Sequence, residues 1–208
     1  MGLRELKKQQ TRQNISHQAT RLFLRHGFDR VTIADVAAAA QVAKMTVTNY
    51  FPRKEDLALD LHEVFVAMPA RTVAERAPGE SALAALRRGF RAAVREHDPV
   101  IGFSGEPFAR MIVESPALTA RLREFHEERE RALAAVLAEE TGAGPDDLPP
   151  RLAAAQLTGA LRVLFEEAMR RTLAGDDHEA VAAALEEAGK AAFDLLEPAL
   201  GDYAVRLR

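Results

Sequence analysis

An all-α fold is predicted for this 208-residue chain, and three observations predict it. Ala, Leu, Glu and Arg, which favour helices, dominate the composition. Apolar residues recur at spacings of three and four, and no segment alternates strictly as a half-buried strand would. Clusters of Gly, Pro and Asp divide the chain into about nine helical segments, and 48% apolar residues are ample for a core.

The first helix is indicated by an apolar face and a glycine stop. Ile15, Ala19 and Phe23 lie on one side of a helical wheel. His26 is expected to end the helix, because Gly27 suits the left-handed residue that closes a helix.

Three short helices are expected to follow in quick succession. Thr32 stands three residues before Asp35, which is the capping-box pattern at a helix start. A turn at 41–43 leads to a very short helix over 44–50, and Pro52 prevents its continuation. The third begins near Arg53 and joins this unit to the rest of the chain, so we expect it to transmit conformational changes.

The charge is distributed unevenly along the chain. Residues 1–54 hold ten Lys or Arg and three acidic residues, a net charge of +7, whereas the remainder carries −10. Phosphate neutralisation by Lys and Arg supplies most non-specific nucleic-acid affinity. The asymmetry indicates a polyanionic partner for the basic end, although a merely solvated basic face would have the same composition.

The motif at 32–57 points to DNA. Two short helices joined by a tight turn, with small polar and basic residues in the second, are typical of a helix-turn-helix. The stretch Thr32-Ile33-Ala34-Asp35-Val36-Ala37, with Val42, Thr46-Val47, Asn49-Tyr50-Phe51-Pro52 and Lys54-Glu55-Asp56-Leu57, closely resembles the DNA-binding signature of the tetracycline-repressor (TetR) family. The match spans roughly residues 10 to 60.

Residue types within the motif predict individual roles. Apolar residues at core spacing are Ile33, Val36, Ala37, Val42, Val47, Phe51 and Leu57. Thr46, Thr48 and Asn49 lie on the other face of the short helix, where side chains reach base edges, and Asn can read adenine bidentately. Lys44, Tyr50, Lys54 and Thr32 are expected to contact phosphates, as the resemblance implies for Tyr50 and Lys54. Tyr50 could instead pad the core, and Thr32 could be only a helix cap.

Three positions depart from the family's commonest pattern. Gln41 stands where glycine is usual in the turn, Ala43 where serine often caps the recognition helix, and Met45 where glycine is frequent. These departures concern the geometry of the recognition helix, so no operator sequence is inferred.

The resemblance implies a DNA-binding domain over 1–54 and an effector-binding and dimerisation domain over 55–208. A cavity among the middle helices is expected, and the five phenylalanines among its candidate lining residues indicate an apolar or aromatic effector. The candidate lining residues are His62, Phe65, Met68, Phe90, Phe103, Phe108, Met111, His126, Gln156, Arg162, Phe165 and Met169. Any one of these could be plain core, and His126, beside Glu127 and Glu128, could lie on a solvated helix face.

A homodimer through the last two helices is also expected. One apolar stripe contains Leu157, Leu161, Leu164, Phe165, Ala168 and Leu173, and a second contains Val181, Leu185, Ala188, Ala192, Leu195 and Leu196. Gly159 and Ala160 could allow close backbone approach. The same stripes could serve only intramolecular packing.

Other function classes find little support in the sequence. Without cysteine there is no disulfide or thiolate metal site, and neither a metal nor a cofactor is expected. No zinc-protease, phosphate-loop or nucleophile-elbow motif occurs, so catalysis is not expected. No signal peptide or membrane span is recognised, and we expect a cytoplasmic protein.

The sequence therefore predicts a ligand-responsive repressor that binds a palindromic operator in double-stranded DNA. The alternative is a non-catalytic helical adaptor that binds an acidic partner.

Overall fold

The computed structural model describes residues 2–144 and 146–206. Within them the chain forms ten α-helices, one short 3-10 helix at Pro99–Ile101, and no strand. The all-α prediction is confirmed, with one helix more than expected. The helices are α1 Leu3–His26, α2 Ile33–Ala40, α3 Lys44–Tyr50, α4 Lys54–Ala58, α5 His62–Ala74, α6 Ala82–Arg95, α7 Glu106–Glu114, α8 Pro116–Thr141, α9 Leu148–Ala174 and α10 His178–Leu200.

The chain divides into two compact units. The first comprises Met1–His62 and Pro107–Leu122, and the second comprises Glu63–Glu106 and Arg123–Arg208. The first therefore combines the N-terminal helices with a segment some fifty residues further along the chain. Separate DNA-binding and effector-binding roles for 1–54 and 55–208 remain a prediction.

Local signals place the helix limits of the first unit where the sequence predicts. Gly27 closes α1 with φ +85°, a value that suits glycine, but its ψ of 143° lies outside the left-handed region that the sequence led us to expect. The Thr32 hydroxyl accepts a hydrogen bond from the Asp35 backbone N–H at 3.2 Å, and the Asp35 carboxylate accepts one from the Thr32 N–H at 2.8 Å. This capping box satisfies two backbone N–H groups that the start of α2 would otherwise leave unpaired. The third short helix, α4, ends at Ala58 and is only five residues long, so the expected connecting helix is interrupted before α5.

One apolar core holds the first unit together. Helices as short as α3 and α4 are marginal alone, so their stability depends on burial against α1 and α2. Two residues of the second segment, Met111 in α7 and Leu118 in α8, belong to the same core. Its main N-terminal members are Ile15, Ala19, Phe23, Val36, Val47, Phe51 and Leu57.

The second unit is built around α6, α9 and α10. Gly189 of α10 lets that helix approach α6 closely, because a Cβ at this position would lie 2.5 Å from the Phe90 ring. Gly102, with φ +110°, lies against α9, where a Cβ would stand 2.8 Å from that of Ala168. Close packing therefore requires glycine at both positions, and at Gly102 the positive φ requires it as well.

No helix in the described part of the chain has the length and apolar content needed to cross a membrane.

The turn between α2 and α3 carries two suboptimal residues. Gln41 adopts φ +56°, and Ala43 precedes α3 without a side-chain cap. We expect Gln41→Gly to raise the free energy of unfolding by about 0.5–1 kcal/mol, since glycine tolerates positive φ.

Ala43→Ser should raise the free energy of unfolding by about 1 kcal/mol, because the serine side chain would cap α3. Urea unfolding of each variant measures both effects. Ala39→Ser, at an exposed position inside α2, is the control and should be neutral or slightly destabilising. Equal effects of serine at 39 and 43 would contradict the capping argument.

Candidate nucleic-acid interface and candidate effector site

Helix α3 presents its polar side outward because its apolar side is buried. Val47 is fully buried, and Phe51 at the helix end is 1% exposed. Lys44, Met45 and Asn49 are exposed as a consequence. A seven-residue helix with one buried anchor and this exposed polar face has the form of a helix that enters the major groove.

The predicted base-reading residues differ in their freedom to bind. Asn49 is exposed, whereas Thr46 and Thr48 are half-buried. The Thr48 hydroxyl donates a hydrogen bond to the Met45 carbonyl oxygen at 3.1 Å, so this proton is used within the helix. Met45, which sequence reasoning did not assign to the site, is 69% exposed. An exposed methionine on such a face offers apolar contact to a thymine methyl group.

The predicted phosphate-contacting residues surround this helix. The Lys54 ammonium lies 4.2 Å from the centroid of the Phe28 ring and 3.4 Å from the Asp29 carbonyl oxygen, which together orient it. Tyr50 is half-buried and packs its ring against the core of the first unit. Tyr50 therefore contributes to the core, and part of its side chain remains accessible to solvent.

Thr32 serves as a helix cap, and its hydroxyl proton is used in that task. Besides accepting from the Asp35 N–H, it donates to the Asp35 carboxylate at 2.7 Å. These bonds hold the pKa of Asp35 below its usual range. A contact of Thr32 with a phosphate remains a prediction.

Polar contacts hold α4 and the turn that follows it. The Arg12 guanidinium donates to the Asp60 carbonyl oxygen at 3.1 Å, and the Ser16 hydroxyl donates to the Asp60 carboxylate. Arg121 of α8 donates from Nε to the buried Asp56 carboxylate at 2.8 Å. This ion pair joins α4 to the beginning of α8.

Three of the predicted effector-site residues meet in the second unit. Phe65, His126 and Phe165, from α5, α8 and α9, have ring centroids 5.0 to 5.8 Å apart and contact one another edge-on. The arrangement is the edge-to-face geometry that aromatic rings prefer. His126 therefore belongs to an interior aromatic cluster and not to a solvated helix face.

Burial changes the chemistry of His126. Desolvation, and then the positive charges of Arg129 and Arg162, lower its pKa to about 4. The imidazole is neutral at physiological pH. It can offer both a hydrogen-bond donor and an acceptor to a ligand.

Arg129 is the residue of this cluster that sequence reasoning missed. Its guanidinium carbon lies 4.6 Å from the centroid of the Phe65 ring, and the residue is 1% exposed. The surrounding glutamates at 127, 128 and 130 make this part of α8 look like a solvated face. The only available signal was a helical spacing of three and four from His126 and Phe125.

The remaining predicted lining residues are dispersed. Phe108 and Met111 pack in the core of the first unit, whereas Phe90 and Met68 contribute to the core of the second. Phe103 stacks on His97, and Met169 receives a weak contact from the Ser104 hydroxyl. His62 contacts the Leu59 carbonyl oxygen through Nδ1, Gln156 is exposed, and Arg162 pairs with Glu166 at the surface.

No group of three or more His, Asp or Glu among the described residues has the geometry to hold a metal ion.

The two predicted dimer stripes serve the chain's own core. Most of their members are buried, including Leu157 and Leu161 of α9 and Val181 and Leu185 of α10. Leu195 is different, with 81% of its surface exposed. On α9, the exposed apolar residues include Leu148, Leu152 and Val163. Beside Gly159 there is open space at the position of a Cβ.

A three-helix unit that buries one side of a short helix and presents the polar side defines a helix-turn-helix DNA-binding regulator. Two family models match the chain. One, described as bacterial regulatory proteins of the tetR family, matches residues 15–61, and the other, the MftR C-terminal domain, matches residues 80–200. The chain belongs to the TetR family of transcriptional regulators.

Relatives support the same assignment along almost the whole length. The HTH-type transcriptional regulator TcmR of Streptomyces glaucescens is 32% identical over 96% of this chain and 88% of its own. A TetR-family regulator from Syntrophomonas wolfei has a TM-score of 0.61 at 18% identity, covering 90% of this chain and 96% of that one. FadR of Bacillus subtilis, in complex with stearoyl-CoA, has a TM-score of 0.50 at 18% identity, with coverage of 87% and 97%. These structural likenesses concern the fold.

The neutral, half-buried imidazole of His126 predicts a pH dependence of stability. Between its ordinary pKa of 6.5 and its folded value of about 4, the unfolded chain binds a proton here and the folded chain does not. Stability is therefore lost as pH falls through this window, by on the order of 2–3 kcal/mol. Urea unfolding at pH 7.5 and pH 4.5 measures the loss. It should be smaller in His126→Phe, which keeps an aromatic ring and cannot titrate. His17→Phe, at an exposed site on α1, should leave the wild-type loss unchanged.

Proposed function

We propose that this protein is a homodimeric repressor that binds a palindromic operator and is released from it by a small-molecule effector. The observation that carries the proposal is the exposed polar face of α3, held by the burial of Val47, in a chain of the TetR family. The proposed role is binding and regulation, not catalysis, and it is exercised in the cytoplasm, where the chromosome lies.

In the proposed complex, α3 lies in the major groove. Asn49, Thr46 and Met45 face the base edges, where an amide can pair with adenine and the methionine can contact a thymine methyl. Thr48 contributes through its lone pairs, since its proton is bonded within the helix. Lys44, Tyr50 and Lys54 contact the phosphates that position the helix, and Thr32 holds the start of α2 against the backbone.

The proposed dimer forms through α9 and α10. Leu195, Leu152 and Val163 supply exposed apolar side chains, and Gly159 leaves room for a second backbone. Large apolar side chains exposed on neighbouring helices are a common feature of interaction surfaces. Two-fold symmetry of the protein would match two half-sites one DNA turn apart, about 34–36 Å.

Effector release is proposed to act through α8 and α4. The same continuous helix, α8, carries Arg121, which holds Asp56 of α4, and Arg129, eight residues and about 12 Å further along. A ligand that moves α8 would therefore change the setting of α4 beside the recognition helix. A coupling of about 1–3 kcal/mol would change operator affinity roughly 5- to 150-fold.

The test is selection of bound duplexes from a random DNA pool. A palindromic consensus, bound by wild type and not by a Tyr50→Ala, Lys54→Ala double variant, is the expected result. Absence of enrichment would overturn operator binding and favour the helical adaptor, whose basic N-terminus would bind an acidic protein.

A single phosphate contact can be isolated at Lys54. Lys54→Met should weaken operator binding about tenfold, and the slope of log affinity against log salt should fall by about 0.9. Fluorescence anisotropy at several salt concentrations measures both quantities. Lys190→Met, on the exposed surface of α10, removes the same charge elsewhere and should leave both unchanged. A reduced affinity with an unchanged slope would show that Lys54 acts on folding and not on phosphate.

The dimer face can be tested at Leu195. Leu195→Glu places a charge on each side of the proposed interface, so we expect monomers in sedimentation velocity at concentrations where wild type is dimeric. The far-UV circular dichroism should not change, because the exposed Leu195 side chain contributes little to the packing of its own protomer. Val113→Glu, at an exposed apolar position of α7, is the control and should remain dimeric. A dimeric Leu195→Glu variant would exclude this face.

A further inference from the structure

Two arginines lie fully inside the second unit, and they differ in how their charges are satisfied. Arg76 donates to the Glu140 carboxylate at 2.7 Å and to the carbonyl oxygens of Ala204 at 2.8 Å and Glu80 at 3.2 Å. Its charge is neutralised and its donors are engaged, as expected for a buried structural arginine.

Arg129 lacks both kinds of compensation. Its Nε and Nη2 atoms are buried without a hydrogen-bond partner, and within the described residues it makes no ion pair with a carboxylate. Burial lowers its pKa to about 10, so it remains charged at physiological pH. An apolar residue of the same volume would fill this position without the desolvation penalty of a buried charge. Packing alone therefore gives no reason for an arginine here.

The surroundings of Arg129 match an aromatic ligand that carries a negative charge. The ring of Phe65 covers the guanidinium, and Phe65, Phe165 and His126 form the edge-to-face cluster beside it. The nearby titratable group, His126, is neutral, and the cation Arg162 is paired at the surface with Glu166. The charges near His126 are thus positive, and three aromatic rings lie in the same cluster.

We propose, building on the ligand-responsive function proposed above, that the effector is an aromatic acid whose anionic group pairs with Arg129. Its ring system lies among Phe65, His126 and Phe165. This assignment narrows the apolar or aromatic effector predicted from the sequence to one with an acidic group.

The chemistry of the guanidinium explains why an acid is selected. Its planar fork of N–H donors matches a carboxylate bidentately, and such charge-assisted hydrogen bonds are stronger than neutral ones. On binding, the anion replaces the face of the Phe65 ring as the partner of the cation, so Phe65 must move. The movement of α5 and α8 side chains on binding links occupancy of this site to α8.

The experiment compares ring-matched acids and amides on the free protein, without DNA. The probes are benzoate, 2-naphthoate and anthracene-2-carboxylate at pH 7.5, each beside its neutral carboxamide. Thermal shift and calorimetric titration measure binding. For the wild type we expect at least one acid to raise the melting temperature and to bind about tenfold or more tightly than its amide. Equal binding of an acid and its amide, or failure of every acid to bind, overturns the proposal.

Substitutions locate the preference at Arg129. Arg129→Met should abolish the acid-to-amide ratio while leaving the amide affinity similar, and Arg129→Lys should give an intermediate ratio, since it keeps the charge without the fork. Arg123→Met, an exposed position on the same helix, should keep the wild-type ratio. If Arg129→Met retains the ratio, the anion is bound elsewhere. Should Arg129→Met fail to fold by circular dichroism, the ratio in Arg129→Lys decides the matter: an unchanged ratio overturns the assignment.

Operator binding, measured in parallel, separates this inference from the proposed function. If the protein prefers acids but selects no operator, the ligand assignment is supported and the proposed repressor function is overturned. If it binds an operator but shows no acid preference, the repressor function is supported and the ligand assignment is overturned.

Discussion

Burial of Val47 is the constraint on which the DNA-binding surface depends. Helix α3 has seven residues, too few for a stable isolated helix, and no side chain caps its first turn. Its orientation is set by insertion of Val47 and Phe51 into the core shared by α1, α2 and the beginning of α8. The polar face that remains outside follows from the helical period. The contacts that bury Val47 and Phe51 thus both stabilise the interior and orient the polar face of α3.

Helix α4, like α3, depends on contacts with other helices for its position. It is too short to be stable alone. Arg121 of α8 bonds to its Asp56, and Arg12 of α1 bonds to Asp60 just beyond its end. The Asp56–Arg121 pair is largely buried, so its removal would leave an uncompensated charge, and its geometry is correspondingly well defined. In the proposed mechanism, this ion pair would transmit a displacement of α8 to α4, because it tolerates few alternative arrangements. This explains how a ligand could affect DNA binding without contacting α3.

The contrast between Arg76 and Arg129 separates structural from functional use of the same side chain. Buried charge is costly, and Arg76 recovers the cost through a carboxylate and several carbonyl oxygens. Among the described residues, Arg129 has the face of the Phe65 ring and no carboxylate partner, and an aromatic face compensates a cation less well than an anion does. In the proposed site, the anionic group of the effector would supply the missing partner. The neutral His126 beside Arg129 would leave the pairing to the arginine and could orient the ligand by hydrogen bonds.

Local features were readable from the sequence, because capping, glycine stops and apolar spacing act within a few residues. The α1 end at Gly27, the Thr32 and Asp35 capping box and the limits of α3 all follow from such signals. Contacts between distant segments were not readable, since spacing along one helix does not specify which helix covers it. Tertiary structure alone decided that residues 107–122 join the first unit, that most of the expected dimer stripes turn inward, and that Arg129 lies buried beneath a phenylalanine ring.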